Sequence, residues 1–117
     1  MSETVLSATL FGAEDLRVIE TSPAPLAPGM VRVQFGAGGI CGSDMHYFRH
    51  GRTGDFVVKS PLTLGHEIAG VIAEVSDGAP GLKPGDRVAV NPSRWCGRCA
   101  HCREGRENLC ENIYFMG

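Results

Sequence analysis

Four cysteines between positions 96 and 110 constrain this chain more than any other stretch. They run Cys96-Gly-Arg-Cys99-Ala-His-Cys102 and then seven residues on to Cys110, a C-x2-C-x2-C-x7-C spacing. Two-residue gaps let successive thiolates wrap one small ion from a tight loop, and the longer return brings in the fourth ligand. Four thiolates fill a tetrahedral shell and leave no open position, so the spacing predicts a structural zinc. The lobe needs the ion, because residues 91–111 carry little apolar periodicity and could not fold unaided. A c-type haem would require histidine directly after the second cysteine of C-x2-C, and Ala100 stands there. An iron–sulfur cluster and a run of unpaired surface thiols are the remaining alternatives. Arg94, Arg98, Arg103 and Arg106 share the lobe. They read as cations that offset a zinc tetrathiolate of net charge about −2, rather than as a nucleic-acid patch.

Composition narrows what surrounds this lobe. At 117 residues the chain is one domain, with room for a core but not for two. A formal charge of −2 and a pI near 6.0 argue against a general nucleic-acid binder. No apolar run approaches the roughly 18 residues of a membrane helix. The start, MSETVLSATLFGAEDL, lacks a basic leader region, so no signal peptide is expected. A cytoplasmic location follows, where five cysteines point to metal or catalysis rather than disulfides. Sixteen glycines and seven prolines predict a mainly β, turn-rich chain, a small antiparallel barrel or sandwich.

Strands are expected at 4–10, 16–20, 30–40, 66–78 and after the Pro84-Gly85 turn. Val31, Val33 and Phe35 alternate with Arg32 and Gln34, and Gly36, Gly38 and Gly39 are expected to end that strand and bend it into Cys41. Ser43 suits a helix N-cap for a short turn over 44–50 that stops at Gly51. Four breakers mark 51–65 mostly as loop. In the strand over 66–78, Ile68, Gly70, Ile72 and Glu74 face one way and Ala69, Val71, Ala73 and Val75 the other, which predicts burial on both sides except near its end.

Residues 39–70 hold one cysteine, three of the four histidines and three carboxylates. Cys41 and His66 each have a glycine neighbour, and a thiolate plus an imidazole suit an open, catalytic zinc with a position left for water or substrate. Glu67 is either the third ligand or a group just behind the ligands. Neighbours on a regular strand point oppositely, and Gly65 makes an irregular entry available. Asp44 suits the role of orienting His66 through its second ring N–H. Ser43 and His46 lie two and five residues past Cys41, where a hydroxyl and an imidazole can pass a proton to solvent. Without further support they read equally as a capping serine and a surface histidine. His50 and His101 read as solvated.

Together, G-I-C-G-S-D-M-H, L-G-H-E-I-A-G, K-P-G-D-R-V-A-V and the four-cysteine lobe resemble the N-terminal catalytic domain of zinc-dependent medium-chain dehydrogenases. H-Y-F-R-H-G-R-T-G-D-F-V-V-K-S-P is most similar to the polyol and sugar-acid branch of sorbitol, xylitol and L-idonate 5-dehydrogenases, and N-P-S-R-W-C-G-R-C-A-H-C to the last of these. The resemblance implies a GroES-like, partly open β-barrel over 1–117 with a short helix and a zinc-stabilised loop lobe at 91–111. It implies a catalytic zinc on Cys41, His66 and Glu67, with Ser43 and His46 as proton relay and Asp44 behind the metal. A structural zinc on Cys96, Cys99, Cys102 and Cys110 follows, as does a polyol pocket near Tyr47, Thr53, Phe56 and Phe115. It further implies NAD or NADP, a secondary alcohol of a polyol or sugar acid as substrate, and a homodimer or homotetramer. No nucleic acid or membrane is expected.

One departure stands out. GAGGICG places Cys41 where the last glycine of G-x-G-x-x-G would fall, and no βαβ unit follows. Family members are roughly three times as long and carry a Rossmann domain, so this stretch alone is expected to bind zinc but not to transfer hydride. The competing expectation is a stand-alone zinc-binding interaction module, which would hold one zinc rather than up to two.

Overall fold

The computed structural model describes residues 3–79 and 81–117. The chain opens with a hairpin, β1 (Val5–Gly12) against β2 (Asp15–Thr21), in register from Val5↔Thr21 to Gly12↔Asp15 with a bulge near its tip. Glu14 closes the turn at φ 57°, a left-handed conformation that few side chains adopt. β3 (Val31–Gly39) pairs along its length with β7 (Glu67–Val75), and β7 pairs with β8 (Arg87–Ala89). Helix α1 (Gly42–His50) leaves β3 after a two-residue link, and Gly51 ends it at φ 66°, its N–H donating to the Tyr47 carbonyl at 2.8 Å.

Three two-residue strands occupy the stretch that breakers mark as loop. β4 (Arg52–Thr53) and β5 (Phe56–Val57) form a small hairpin, and β6 (Leu62–Thr63) adds to β1. The cysteine lobe holds β9 (Ser93–Arg94), a one-turn helix α2 (Ala100–Arg103), a 3-10 turn at Glu107–Leu109, and β10 (Tyr114–Phe115), which pairs back onto β9. The result is mainly β, and among the described residues the four sheets do not join into a closed barrel.

The core is small. Leu10, Ile72 and Cys110 are its buried apolar residues, while Leu6, Val18, Phe35 and Ile40 are 62–80% exposed. The accessible surface is 8568 Å², against about 6,200 Å² expected for a compact protein of this mass. The radius of gyration is 16.0 Å, against about 13 Å for a compact domain of this length.

Three expectations change. On β7, Gly70 and Ile72 turn inward, but Ala69, Val71 and Ala73 are exposed, so the strand is covered on one side only. Apolar residues on both faces report a surface suited to cover, and this chain supplies cover to one face. Gly36 and Gly38 lie inside β3, which ends only at Gly39. They allow close approach: a Cβ at Gly36 would press on the Ala69 carbonyl, and one at Gly39 would collide with the Glu67 carboxylate. A bulge at Gly36 absorbs the bend instead. Finally, the helix is capped at Cys41 rather than Ser43, with the Cys41 N–H donating to Asp44 Oδ2 at 3.0 Å.

Gly70 is the tightest of these sheet contacts, since a Cβ there would run into the Gln34 carbonyl and Val33. Gly70→Ala should cost about 1–3 kcal/mol by overpacking, lowering the urea midpoint. Gly12→Ala, whose Cβ meets nothing within 4 Å, should leave that midpoint within error.

Candidate metal centre

The β3–β7 pairing builds the first cluster. It ends at Gly39↔Glu67, so the residues just past each strand end, Cys41 and His66, are carried to the same place. Gly65, at φ 109°, turns the chain before β7, and the strand begins only at Glu67. His66 therefore lies outside the regular pleat, and the alternation that would separate it from Glu67 does not apply. Ligand atoms of Cys41, His66 and Glu67 lie within 4.8 Å of one another. One thiolate, one imidazole and one carboxylate form a three-donor set with room for a fourth ligand, the composition of an open zinc site.

Asp44 sits behind this cluster and is 6% exposed. Its Oδ2 accepts from the Cys41 N–H, while Oδ1 faces His66 Nδ1 at 3.8 Å. Neither Oδ1 nor Nδ1 has a hydrogen-bond partner, although both are buried. Two orphaned buried atoms facing each other cost of order 1–3 kcal/mol each. A cation on His66 Nε2 would fix the proton on Nδ1, and a slight closure would then satisfy both atoms. The residues present thus fit a zinc ion.

The remaining expected site residues fall into two groups. Ser43 and His46 lie on the first turns of α1, Ser43 half-buried and His46 exposed. Phe115 packs its ring edge on His66 with centroids 5.0 Å apart, so it borders the cluster. Tyr47 and Phe56 instead line a separate recess of about 370 Å³ with Asp55, Lys59 and Pro61. Thr53 donates its hydroxyl to the Ser43 carbonyl at 3.2 Å, tying the β4–β5 hairpin to the helix start. Beside the cluster runs an apolar groove of about 630 Å³ whose lining includes Leu6, Phe35, Ile40, Met45, Asp44 and Glu67.

The second cluster gathers Cys96, Cys99, Cys102 and Cys110, whose sulfurs also lie within 4.8 Å of one another. All are free thiols, and Cys96 Sγ and Cys102 Sγ are 4.0 Å apart. Zinc–sulfur bonds of about 2.3 Å place tetrahedral sulfurs roughly 3.8 Å apart, so a zinc ion fits here with little adjustment. Backbone amides already point at the sulfurs: Cys99 N–H and Arg98 N–H donate to Cys96 Sγ, and Cys96 N–H and Asn112 N–H to Cys110 Sγ, at 3.3–3.5 Å. Asn112 is absent from the sequence reading. It donates its main-chain N–H to Cys110 Sγ and its side-chain amide to Cys96 Sγ at 3.9 Å, contacts that the cysteine spacing does not announce. The amides of Arg98 and Cys99 pull the Cys96 thiol down to about 6, whereas burial pushes Cys102 up to about 12.

A profile of the alcohol dehydrogenase GroES-like domain matches residues 27–117. Sorbitol dehydrogenase of Bacillus subtilis is 44% identical over 115 residues, covering 97% of this chain and 32% of that protein. Among solved structures, L-idonate 5-dehydrogenase of Escherichia coli superposes with a TM-score of 0.87 at 38% identity, covering 100% of this chain and 33% of that one. An Escherichia coli alcohol dehydrogenase solved with NADH gives a TM-score of 0.85 at 36% identity, over 100% of this chain and 33% of that one. The chain spans about a third of the length of the relatives it matches.

Stripping metal from the reduced protein should open residues 91–111 and expose Cys96, Cys99, Cys102 and Cys110 to iodoacetamide. Peptide mass spectrometry over a time course should show the four thiols labelled together in the stripped protein and protected once zinc is added back.

Proposed function

The chain belongs to the family of alcohol dehydrogenase GroES-like domains, and on that footing we propose that residues 1–117 are the zinc-binding catalytic portion of an NAD(P)-linked oxidoreductase. The activity proposed is oxidation of a secondary alcohol of a polyol or sugar acid, in the manner named for the sorbitol and L-idonate relatives. The observation that carries the reading is the three-donor cluster of Cys41, His66 and Glu67 beside the orphaned Asp44–His66 pair.

A zinc ion held there would supply Lewis-acid polarisation of the substrate hydroxyl, and a nicotinamide would take the hydride. This chain's residues do the rest. Asp44 orients His66 by accepting its Nδ1 proton, which leaves Nε2 free to ligate. Ser43 Oγ accepts the proton lost by the hydroxyl and passes on its own, and the exposed His46 ring delivers it to water. Phe115 excludes water from one side of His66. Tyr47, Thr53 and Phe56 are assigned to the substrate side, with Thr53 acting through the backbone of Ser43. Cys96, Cys99, Cys102 and Cys110 hold a structural zinc that organises residues 91–111. The assembled enzyme is read as a cytoplasmic homodimer or homotetramer, in keeping with five free thiols and no described helix long and apolar enough to cross a membrane.

A stand-alone zinc module is the weaker reading. Such a module would close its core, whereas this chain exposes 8568 Å² with large apolar side chains in the open.

Cys41→Ser in the whole enzyme should lower kcat/KM by at least about a thousandfold, roughly 4 kcal/mol of barrier. Metal analysis should show the loss of one of two zinc ions per chain, the tetracysteine ion remaining. Near-normal turnover in this variant would remove Cys41 from the catalytic role.

A further inference from the structure

Helix α1 carries a feature that the two zinc clusters do not use. His46 and His50 are four residues apart on one helical face, and their ring centroids are 5.9 Å apart with planes inclined at 34°. Both residues are exposed. Among the described residues neither is held in an ion pair, so both rings are available.

We propose that His46 and His50 form a two-imidazole chelate for a borderline divalent ion such as nickel, copper or excess zinc, separate from the two zinc clusters. The geometry supports it on three counts. An imidazole nitrogen ligates at about 2.0–2.1 Å, which puts each ring centroid about 3.2 Å from the ion; two rings on one ion are then roughly 4.5–6.4 Å apart. The observed 5.9 Å lies inside that range, so turning the two exposed rings brings their nitrogens onto one centre. His50 occupies the last turn of a nine-residue helix, where the carbonyl end favours a cation. Finally, neutral imidazole is a donor preferred by nickel, copper and zinc over calcium or magnesium, which fixes the class of ion. Arg49, between the two, places one positive charge nearby and holds the site to moderate affinity.

The site matters because His46 is the solvent end of the proton relay proposed above. An ion bridging it to His50 occupies the nitrogen that must accept a proton, so the chelate acts as an inhibitory metal site. The binding claim stands apart from the dehydrogenase reading, and the inhibition claim rests on it.

The test titrates the zinc-loaded protein with nickel chloride by calorimetry. One saturable site per chain is expected, weakened at least about tenfold in His50→Ala because the second nitrogen binds intramolecularly. Zinc content and circular dichroism should be unchanged, since His50 is exposed at a helix end. Independently, nickel should protect both His46 and His50 from diethyl pyrocarbonate, read by peptide mass spectrometry on the unmutated protein. Equal nickel affinity in His50→Ala, or unaltered modification of the pair, overturns the proposal. In turnover assays nickel should slow the parent enzyme and spare His50→Ala. Nickel bound through both histidines without slowing turnover would keep the chelate and remove His46 from the relay.

Discussion

Everything at the first cluster depends on the antiparallel register of β3 and β7. That ladder joins residues 31–39 to residues 67–75 and stops at Gly39↔Glu67. Cys41 follows one strand end and His66 precedes the other, so the ladder alone decides that a thiol and an imidazole distant in sequence become neighbours. The price of such closeness is a missing side chain: any Cβ at Gly39 would fall on the Glu67 carboxylate. The same glycine-rich stretch lets β3 lie against β7 at Gly36, where a bulge shifts the register. Backbone pairing sets the metal geometry here, and the glycines let the carboxylate stay.

Asp44 couples the sheet to the helix. One of its oxygens accepts the Cys41 amide and starts α1, while the other waits beside His66 Nδ1. A buried carboxylate with one satisfied and one unsatisfied oxygen is costly in isolation, and the cost falls when a cation fixes the tautomer of the facing imidazole. Asp44 would therefore link any ion held by His66 to the capping of α1 through a single side chain. The tetracysteine lobe works differently. It has almost no apolar packing, only short ladders and one-turn helices, and its amides are already aimed at sulfur. A bound ion there would take the place of a core.

How much of this was legible in the sequence varies with the physics involved. The cysteine spacing announced the lobe because two-residue gaps are themselves the geometry. The strand at 31–39 follows the alternation of Val31, Val33 and Phe35, and those at 5–12, 15–21 and 67–75 follow apolar runs bounded by turn residues. The GroES-like family was legible because several separated motifs coincide in order. Three things were not. The N-cap moved from Ser43 to Cys41 because Asp44 could reach the Cys41 amide, which residue preference alone does not encode. The glycines of β3 look like benders in the sequence, whereas they serve close approach, a property of the partner strand. And apolar Ala69, Val71 and Ala73 predict a buried second face for β7, whereas all three are exposed among the described residues.

That last discrepancy bears on what the 117 residues are. The accessible surface exceeds the expectation for the mass by more than 2,000 Å², and large apolar side chains exposed on β1, β2 and β3 as well as the open face of β7 share in it. Leu6, Val18, Phe35 and Ile40 are apolar and all at least 62% exposed. An isolated module would gain solubility from polar residues at these positions. Their exposure, beside a groove that reaches Asp44 and Glu67, fits a portion of a protein whose core is completed from outside these residues. It also explains why a metal-ready site can be assembled by so few buried side chains: the ladder and the cysteine lobe hold the ligands in place, and hydrophobic burial has yet to contribute its share.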